Sequence, residues 1–331
     1  MIPAFKRAAR LSAAQRPLLQ KITNPRHSFT TSGHSRGNSG SPGSSGNTFP
    51  SHEHPTRPVA HLNNKVAIVT GAGCHGSQDD LGNGSATAIL LAEAGATVLC
   101  VDRDLSFAER TAALINSNNV NFPGQASLAV AVEADVTDPV DCKNVTDHAL
   151  SRFGRLDILV NLVGVMGARG TAPDLDLDGW DAGLRINVTS MMLMARYAVP
   201  AMLRNERTAE RPVRGSIVNV GSVAGLRGGT PHLLYPTSKG AVVNMTRAMA
   251  AHHGKDGVRV NWMLYTPMMY RNGMSDEMRE KRRQRSLLQT EGNVWDFAHA
   301  VRFLASDEAR WITGAILPVD AGATAATSLS P

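Results

Sequence analysis

The chain has 331 residues, of which 42% are hydrophobic and 19% are charged, so it can form one large domain or two ordinary ones. Its three cysteines, Cys74, Cys100 and Cys142, are too few and too irregularly spaced for a disulfide framework or a zinc site. No stretch reaches the roughly 18 consecutive apolar residues that a membrane-spanning helix needs. We therefore expect a soluble protein of a reducing compartment, with no metal and no membrane partner.

The net charge of +6 and the isoelectric point of about 9.5 would favour a nucleic-acid partner if the charge were evenly spread. It is not, because residues 1–57 contain eight basic side chains and one acidic one, whereas the other 274 residues contain 26 basic and 27 acidic side chains. The body of the chain is close to neutral. We therefore expect no nucleic-acid partner.

The first 60 residues are predicted to lie outside the fold. Residues 1–20 combine scattered apolar side chains with basic ones and no acid, a pattern that can form a basic amphipathic helix. Residues 27–58 are rich in Ser, Gly, Pro, Thr, Asn and His, which is typical of a linker. The segment 26–32 resembles the cleavage region of a mitochondrial presequence, so we expect import into the mitochondrial matrix. The alternative is an untargeted extension on a cytoplasmic protein.

From Lys65 onward, short β-branched runs alternate with longer helical patterns. Continuous Val/Ile/Leu runs are typical of parallel strands buried on both faces. We therefore expect one α/β domain over residues 61–325, with a doubly wound, seven-stranded, Rossmann-like parallel sheet. The predicted strands are Val66–Thr70, Thr97–Asp102, Leu128–Ala134, Leu156–Asn161, Ser216–Val220, Val258–Trp262 and Ala315–Val319. The predicted helices are Gly84–Ala94, Phe107–Asn116, Pro139–Phe153, Leu184–Leu203, Leu234–His253, Ser275–Leu288 and Trp295–Ala305.

A glycine-rich turn follows the first predicted strand, and glycines there allow the backbone to approach a pyrophosphate at the start of the next helix. Two registers fit. The spacing Gly71-x-Gly73-x-x-Gly76 matches the dinucleotide fingerprint literally, but its helix would run through two more glycines. A helix beginning near Asn83 instead makes Gly82-x-Gly84 the pair that faces the phosphates, with residues 74–80 as an inserted loop. We favour this second register.

Asp102 ends the second predicted strand. A carboxylate at this position can accept hydrogen bonds from both adenosine ribose hydroxyls and repels a 2′-phosphate, which favours NAD over NADP. Arg103 follows and partly offsets that repulsion, so NADP stays open as the alternative cofactor.

Tyr235 and Lys239 are four residues apart, which places both side chains on one face of a helix. Ser222 follows the fifth predicted strand, at the sheet edge where doubly wound folds place their chemistry. A nearby ammonium group favours the phenolate form of a tyrosine. Tyr235 is therefore predicted to move the proton, with Ser222 holding the substrate oxygen and Lys239 tuning the phenol.

Together these motifs resemble the short-chain dehydrogenase/reductase family, in its ordinary single-domain branch, over residues 65–322. The resemblance is carried by Thr70-Gly71, Gly82-x-Gly84, Asp135-Val136, Asn161-Leu162-Val163-Gly164, Asn187, Ser222, Tyr235-x-x-x-Lys239, Ile312-Thr313-Gly314 and Val319-Asp320-Ala321-Gly322.

The resemblance implies roles for further residues. Asp135 and Val136 would border the adenine, and Asn161 and Gly164 would line the cofactor. Asn187 would hold a water that extends the proton relay of Lys239, which would also bond the nicotinamide ribose. The implied phosphate-loop contacts are Gly71, Leu81, Gly82, Asn83 and Gly84. The resemblance also implies a homodimer or homotetramer assembled through the helices that carry Asn187 and Tyr235.

Two features depart from the family pattern. Asn161-Leu162-Val163-Gly164 replaces the usual Asn-Asn-Ala-Gly, which we interpret as a packing variation. After the sixth strand, Val260–Pro267 lacks the usual Pro-Gly turn. The segment is also about four or five residues shorter than in the family, which is a large difference because loops from a strand to a helix are themselves short. Either the loop is rebuilt with Thr266 still in reach of the nicotinamide carboxamide, or the gene model has lost a few codons.

Residues 266–292 occupy the region where this family builds its substrate lid. Met268, Met269 and Tyr270 could give an adaptable apolar wall, and internal packing is the alternative explanation. We expect an NAD(P)-dependent oxidoreductase that interconverts a secondary alcohol and a ketone, with a small alcohol or ketone as its partner. The alternatives are an NADPH-dependent ketoreductase of polyketide-like biosynthesis and a catalytically weak cofactor-binding scaffold or redox sensor.

Overall fold

The computed structural model describes five stretches of the chain: residues 61–74, 81–117, 129–208, 211–264 and 275–326. Chain contacts divide the protein into residues 1–53 and 54–331, and all the described residues belong to the second unit. The predicted presequence and linker therefore lie outside the described residues. So do residues 75–80 of the predicted inserted loop, Met268–Tyr270 and the predicted cofactor contact Thr266.

Seven parallel strands form one sheet in the order β3-β2-β1-β4-β5-β6-β7. The predicted fold class is confirmed. The strand order reverses beside β1, which pairs with β2 on one side and β4 on the other, and doubly wound sheets bind ligands beyond the strand ends at such a point. The strands are β1 (Val66–Thr70), β2 (Thr97–Asp102), β3 (Ala129–Glu133), β4 (Ile158–Asn161), β5 (Gly215–Gly221), β6 (Val258–Leu264) and β7 (Ile316–Pro318).

Helices connect these strands and cover both faces of the sheet. None of them, in the stretches that the structure describes, is long and apolar enough to cross a membrane. The helices are α1 (Asn83–Glu93), α2 (Leu105–Ser117), α3 (Pro139–Phe153), α4 (Leu177–Leu184), α5 (Ser190–Met202), α6 (Leu234–His253), α7 (Asp276–Arg285) and α8 (Val294–Ala305).

The core has two layers because alternate strand residues point to opposite faces. Val69, Val160 and Val218 pack on one face with α1, α2 and α8. Their neighbours Ile68 and Leu159 pack on the other face with α3 and α5. Burial on both faces explains why these strands have no polar alternation.

The predicted helix from Leu184 to Leu203 is helical in the structure, but the helical backbone begins earlier, at Leu177, and is interrupted by a π-helical turn. The chain forms α4, a π-helical turn over Arg185–Thr189 and then α5. Asp176 caps α4, since its side chain accepts a hydrogen bond from Gly179 N at 2.7 Å.

Smaller differences concern element ends. The fourth strand begins later than predicted, at Ile158, and the third ends one residue earlier, at Glu133. The predicted first residue of the third strand, Leu128, lies outside the described residues. Helix α7 is shorter than predicted, because the Ser275 hydroxyl caps its start and the backbone becomes extended at Ser286.

Candidate active site

The turn between β1 and α1 is built on glycines. Gly71 has φ of +68°, a conformation that side chains rarely adopt. A Cβ on Gly84 would lie 2.0 Å from the Gly71 carbonyl oxygen, so only glycine allows α1 to approach the turn this closely. Helix α1 begins at Asn83, as the second predicted register requires. The predicted contacts Gly71, Leu81, Gly82, Asn83 and Gly84 thus lie at one helix start.

The start of α1 can receive an anion. Its N-cap, Gly82, provides no side-chain hydrogen bond, and no acidic residue lies in the first turn. Among the described residues, therefore, no side chain caps the first amide groups of the helix or opposes its dipole. The Asn83 Oδ1 atom is buried and has no hydrogen-bond partner among the described residues.

A pocket of about 510 Å³ lies beyond the end of β2, lined by Asp102, Arg103, Asp104, Leu105, Phe107 and Glu133. The Asp102 carboxylate accepts hydrogen bonds from Gly73 N at 2.9 Å and Asp104 N at 3.2 Å. These bonds hold the carboxylate between the glycine turn and the pocket. Asp102 therefore ends β2, as predicted, and its contact with a ribose stays a prediction.

Asp135 and Val136 follow β3, on the strand next to β2. Hydrogen bonds from the Thr137 amide and hydroxyl, both 2.8 Å, hold the pKa of Asp135 below its ordinary value, and Arg103 and Arg185 lower it further. Val136 is buried in the core. The two residues therefore lie at the carboxyl edge of the sheet, on the Asp102 side.

The segments at the carboxyl ends of β1, β2 and β3 together fit a dinucleotide. The glycine turn forms a cradle that a side chain would fill, the helix start has no side-chain cap among the described residues, and a carboxylate ends β2. The stretches of chain that the structure describes hold no group of three or more His, Cys, Asp or Glu side chains arranged to bind a metal.

Ser222, Tyr235 and Lys239 meet beyond the end of β5. Ser222 follows that strand directly, and its side chain is close enough to the Tyr235 hydroxyl to lower the pKa of Tyr235 by hydrogen bonding. Burial raises the pKa of Tyr235, and the Ser222 bond lowers it in part. Both side chains are nearly buried, with exposed fractions of 5% and 7%.

Lys239 lies one helical turn after Tyr235 in α6, and its Nζ is 5.8 Å from the centroid of the tyrosine ring. The Nζ donates a hydrogen bond to Val220 O at 3.3 Å. Burial lowers the pKa of Lys239 from 10.5 to about 8. A Cβ on Gly164 would lie 3.0 Å from this Nζ, which explains the glycine there.

Asn187 lies in the π-helical turn, a rare local structure that is frequent at functional sites. Its Oδ1 accepts a hydrogen bond from Val165 N at 2.8 Å. Its Nδ2 donates to Val165 O at 2.9 Å and to the Ser238 hydroxyl at 3.0 Å. The carboxamide of Asn187 therefore joins the loop after β4 to the helix that carries Tyr235 and Lys239.

The side chain of Asn161 forms hydrogen bonds inside the protein. Its Nδ2 donates to Asn219 Oδ1 at 2.9 Å, and the Asn219 amide donates to the Thr246 hydroxyl at 3.0 Å. All three side chains are buried. The Asn161 side chain thus belongs to a polar network between the sheet and α6, which sequence reasoning missed because its members are up to 85 residues apart in the chain.

Comparisons with known proteins agree with this geometry. A family model described as Enoyl-(Acyl carrier protein) reductase matches residues 76–324. Meso-2,3-butanediol dehydrogenase of Serratia marcescens is 34% identical over 268 residues, covering 80% of this chain and 96% of that protein. Cyclohexanol dehydrogenase of Acinetobacter sp. strain SE19 is 31% identical over 267 residues, covering 80% of this chain and 96% of that protein.

Among solved structures, a 7α-hydroxysteroid dehydrogenase complexed with NADH and 7-oxo glycochenodeoxycholic acid matches with a TM-score of 0.69. It is 28% identical and covers 80% of this chain and 95% of that one. The fold and the glycine turn define a dinucleotide-binding protein of the doubly wound class. The chain belongs to the short-chain dehydrogenase/reductase family. It is an oxidoreductase that acts on CH–OH groups, in a family that uses NAD(H) or NADP(H).

Proposed function

We propose that this protein interconverts a secondary alcohol and a ketone with NAD(H), using Ser222, Tyr235, Lys239 and Asn187. The observation that carries the proposal is the burial of Ser222 and Tyr235 beyond the end of β5, with the Lys239 Nζ 5.8 Å from the centroid of the tyrosine ring. Butanediol and cyclohexanol, named for two of the relatives, are both secondary alcohols.

Each side chain has a distinct task in this reaction. When bound, the nicotinamide accepts a hydride in oxidation and supplies one in reduction. Tyr235 takes the hydroxyl proton in oxidation and returns it in reduction. The Ser222 hydroxyl has a single proton, which it donates to the same substrate oxygen once substrate is bound, while its oxygen goes on accepting a hydrogen bond from Ala224 N at 3.2 Å. Protonated Lys239 favours the phenolate, and Asn187 keeps the loop after β4 against α6.

The proposal is tested by measuring NADH absorbance with purified protein, NAD⁺ and a panel of secondary alcohols. We expect NADH to form with at least one of them, and the matching ketone to consume NADH. Binding of NAD⁺, measured by calorimetry, without turnover of any alcohol or ketone would contradict the proposal and favour the cofactor-binding scaffold.

We expect Asp102→Asn to shift cofactor preference toward NADP. Asparagine keeps an acceptor for Gly73 N but removes the negative charge that opposes a 2′-phosphate. The ratio of kcat/KM for NADP⁺ to that for NAD⁺ should rise about 10- to 100-fold, since like charges placed together cost several kcal/mol.

The matched control for this change is Asp104→Asn, which removes a charge from the same pocket while keeping the cap on Ser106. It should change the ratio far less. An unchanged ratio in Asp102→Asn would show that Asp102 does not set cofactor preference.

A further inference from the structure

Three chain segments that carry exposed apolar side chains lie next to Ser222 or Tyr235 in the sequence or are joined by hydrogen bonds to the residues that do. Among the described residues, fifteen large apolar side chains are exposed, and six of them lie in three such segments. Their exposed fractions range from 38% to 70%. Contiguous exposed apolar surface is typical of binding sites. These six, which we call the apolar rim, are Val165, Met166, Leu226, Leu233, Leu287 and Leu288.

Two segments of the rim are joined at the start of α6. Leu233 N donates to Gly170 O at 3.1 Å, and Gly170 N donates to His232 Nδ1 at 3.2 Å. The loop after β4, which carries Val165 and Met166, is thereby attached to the residues just before Tyr235. Asn187 holds the other end of this loop through the Val165 backbone.

The third segment is joined to the chain that follows Ser222. Arg227 Nη1 donates to Ala323 O at 3.1 Å, in the turn after β7. The same turn receives a hydrogen bond from Leu288 N at Ala321 O, 3.2 Å. Leu287 and Leu288 are thus connected to Leu226 through one short turn.

Two polar side chains near the rim, those of Asp320 and Thr230, are used within the protein. The Asp320 carboxylate accepts hydrogen bonds from Gly322 N at 3.0 Å and Thr324 N at 2.9 Å. The Thr230 hydroxyl donates to His232 O at 2.8 Å. The outward-facing groups of these segments therefore include the apolar rim and two exposed cations, Arg169 and Arg227.

We infer that the substrate is an uncharged secondary alcohol or ketone whose reacting carbon belongs to an apolar chain or ring, and not a polyol or a sugar. This inference rests on the proposed function, since it assigns the substrate class of the same site. The rim offers apolar contact to the carbon skeleton, and Ser222 and Tyr235 supply the polar contacts of the reacting oxygen.

The test is a series of 2-alkanols from 2-propanol to 2-hexanol, assayed with NAD⁺ by NADH absorbance. Each methylene that the rim covers should raise kcat/KM about three- to fourfold, or about 30-fold or more over the series. Cyclohexanol should likewise be a far better substrate than inositol, a ring of the same size with a hydroxyl on every carbon.

Leu226→Gln should flatten the dependence of kcat/KM on chain length. The matched control is Leu203→Gln, a leucine of similar exposure at the end of α5, which should leave that dependence unchanged.

Four results would count against the inference, and they differ in what they overturn. Turnover with no dependence on chain length, or better turnover of inositol than of cyclohexanol, would overturn the inference and leave the proposed function intact. Better turnover of a cyclohexanol bearing a carboxylate would also overturn it, and would indicate that Arg169 or Arg227 binds an anionic group. Binding of NAD⁺ without turnover of any alcohol would overturn the proposed function itself, and the inference with it.

Discussion

Tyr235→Phe should lower kcat for alcohol oxidation by about 10²- to 10⁴-fold, the usual contribution of a positioned acid–base group. The change removes only the hydroxyl that bonds to Ser222 and keeps the buried ring beside Lys239. The dissociation constant of NAD⁺, measured by calorimetry, should therefore change little. Loss of NAD⁺ binding together with activity would mean that the hydroxyl supports the structure of the site and not the proton transfer.

The pH dependence of the rate provides a second measurement. Burial raises the pKa of Tyr235 and the Ser222 bond lowers it in part, so the free protein holds the phenol protonated near neutral pH. Oxidation needs the phenolate, so its rate should rise with pH, whereas reduction needs the phenol and should slow as pH rises. The residual activity of Tyr235→Phe should lack this dependence.

The control for this variant is Tyr197→Phe, which removes the hydroxyl of a partly buried tyrosine that packs against the core in α5. Its kcat and its pH profile should match those of the unchanged protein. An equal loss of activity in both variants would contradict the specific role of Tyr235.

Most of the sheet could be predicted because buried parallel strands have continuous apolar runs. β1 and β2 begin and end at the predicted residues, and so does α6. Helix α4 could not be predicted, since two of its eight residues are glycine and two are aspartate, all poor helix formers. Packing stabilises it instead: a Cβ on Gly183 would lie 2.2 Å from the Leu234 side chain, so glycine is what allows α4 to meet α6.

The candidate site likewise contains residues that could be predicted from the sequence and residues that could not. Asp102, Ser222, Tyr235 and Lys239 were predictable because each lies at a strand end or one helical turn from another. The π-helical turn at Asn187 was not, because the bonds of that side chain reach residues 22 and 51 positions away in the chain. Long-range contacts of this kind override local propensity and leave no periodic pattern in the sequence.

Lys239→Met should abolish most of the activity and yet stabilise the protein at pH 7. The Lys239 side chain is 2% exposed, and burial lowers its pKa from 10.5 to about 8. The native state therefore binds this proton less tightly than the unfolded chain does. Between about pH 8 and 10.5 the free energy of unfolding should rise with pH, and below that window the cost of burying the charge is fully present.

Methionine has a similar length and no charge, so Lys239→Met should raise the free energy of unfolding at pH 7 by roughly 2–3 kcal/mol. Urea denaturation followed by tryptophan fluorescence at pH 7 and pH 10 measures this, and the difference from the unchanged protein should shrink at pH 10. The control is Lys143→Met, which changes an exposed lysine paired with Asp147 and should alter stability by less than about 1 kcal/mol. A Lys239→Met variant that is less stable than the unchanged protein at pH 7 would show that Lys239 stabilises the fold. The expected gain in stability would show instead that the buried ammonium beside Tyr235 lowers the stability of the native protein.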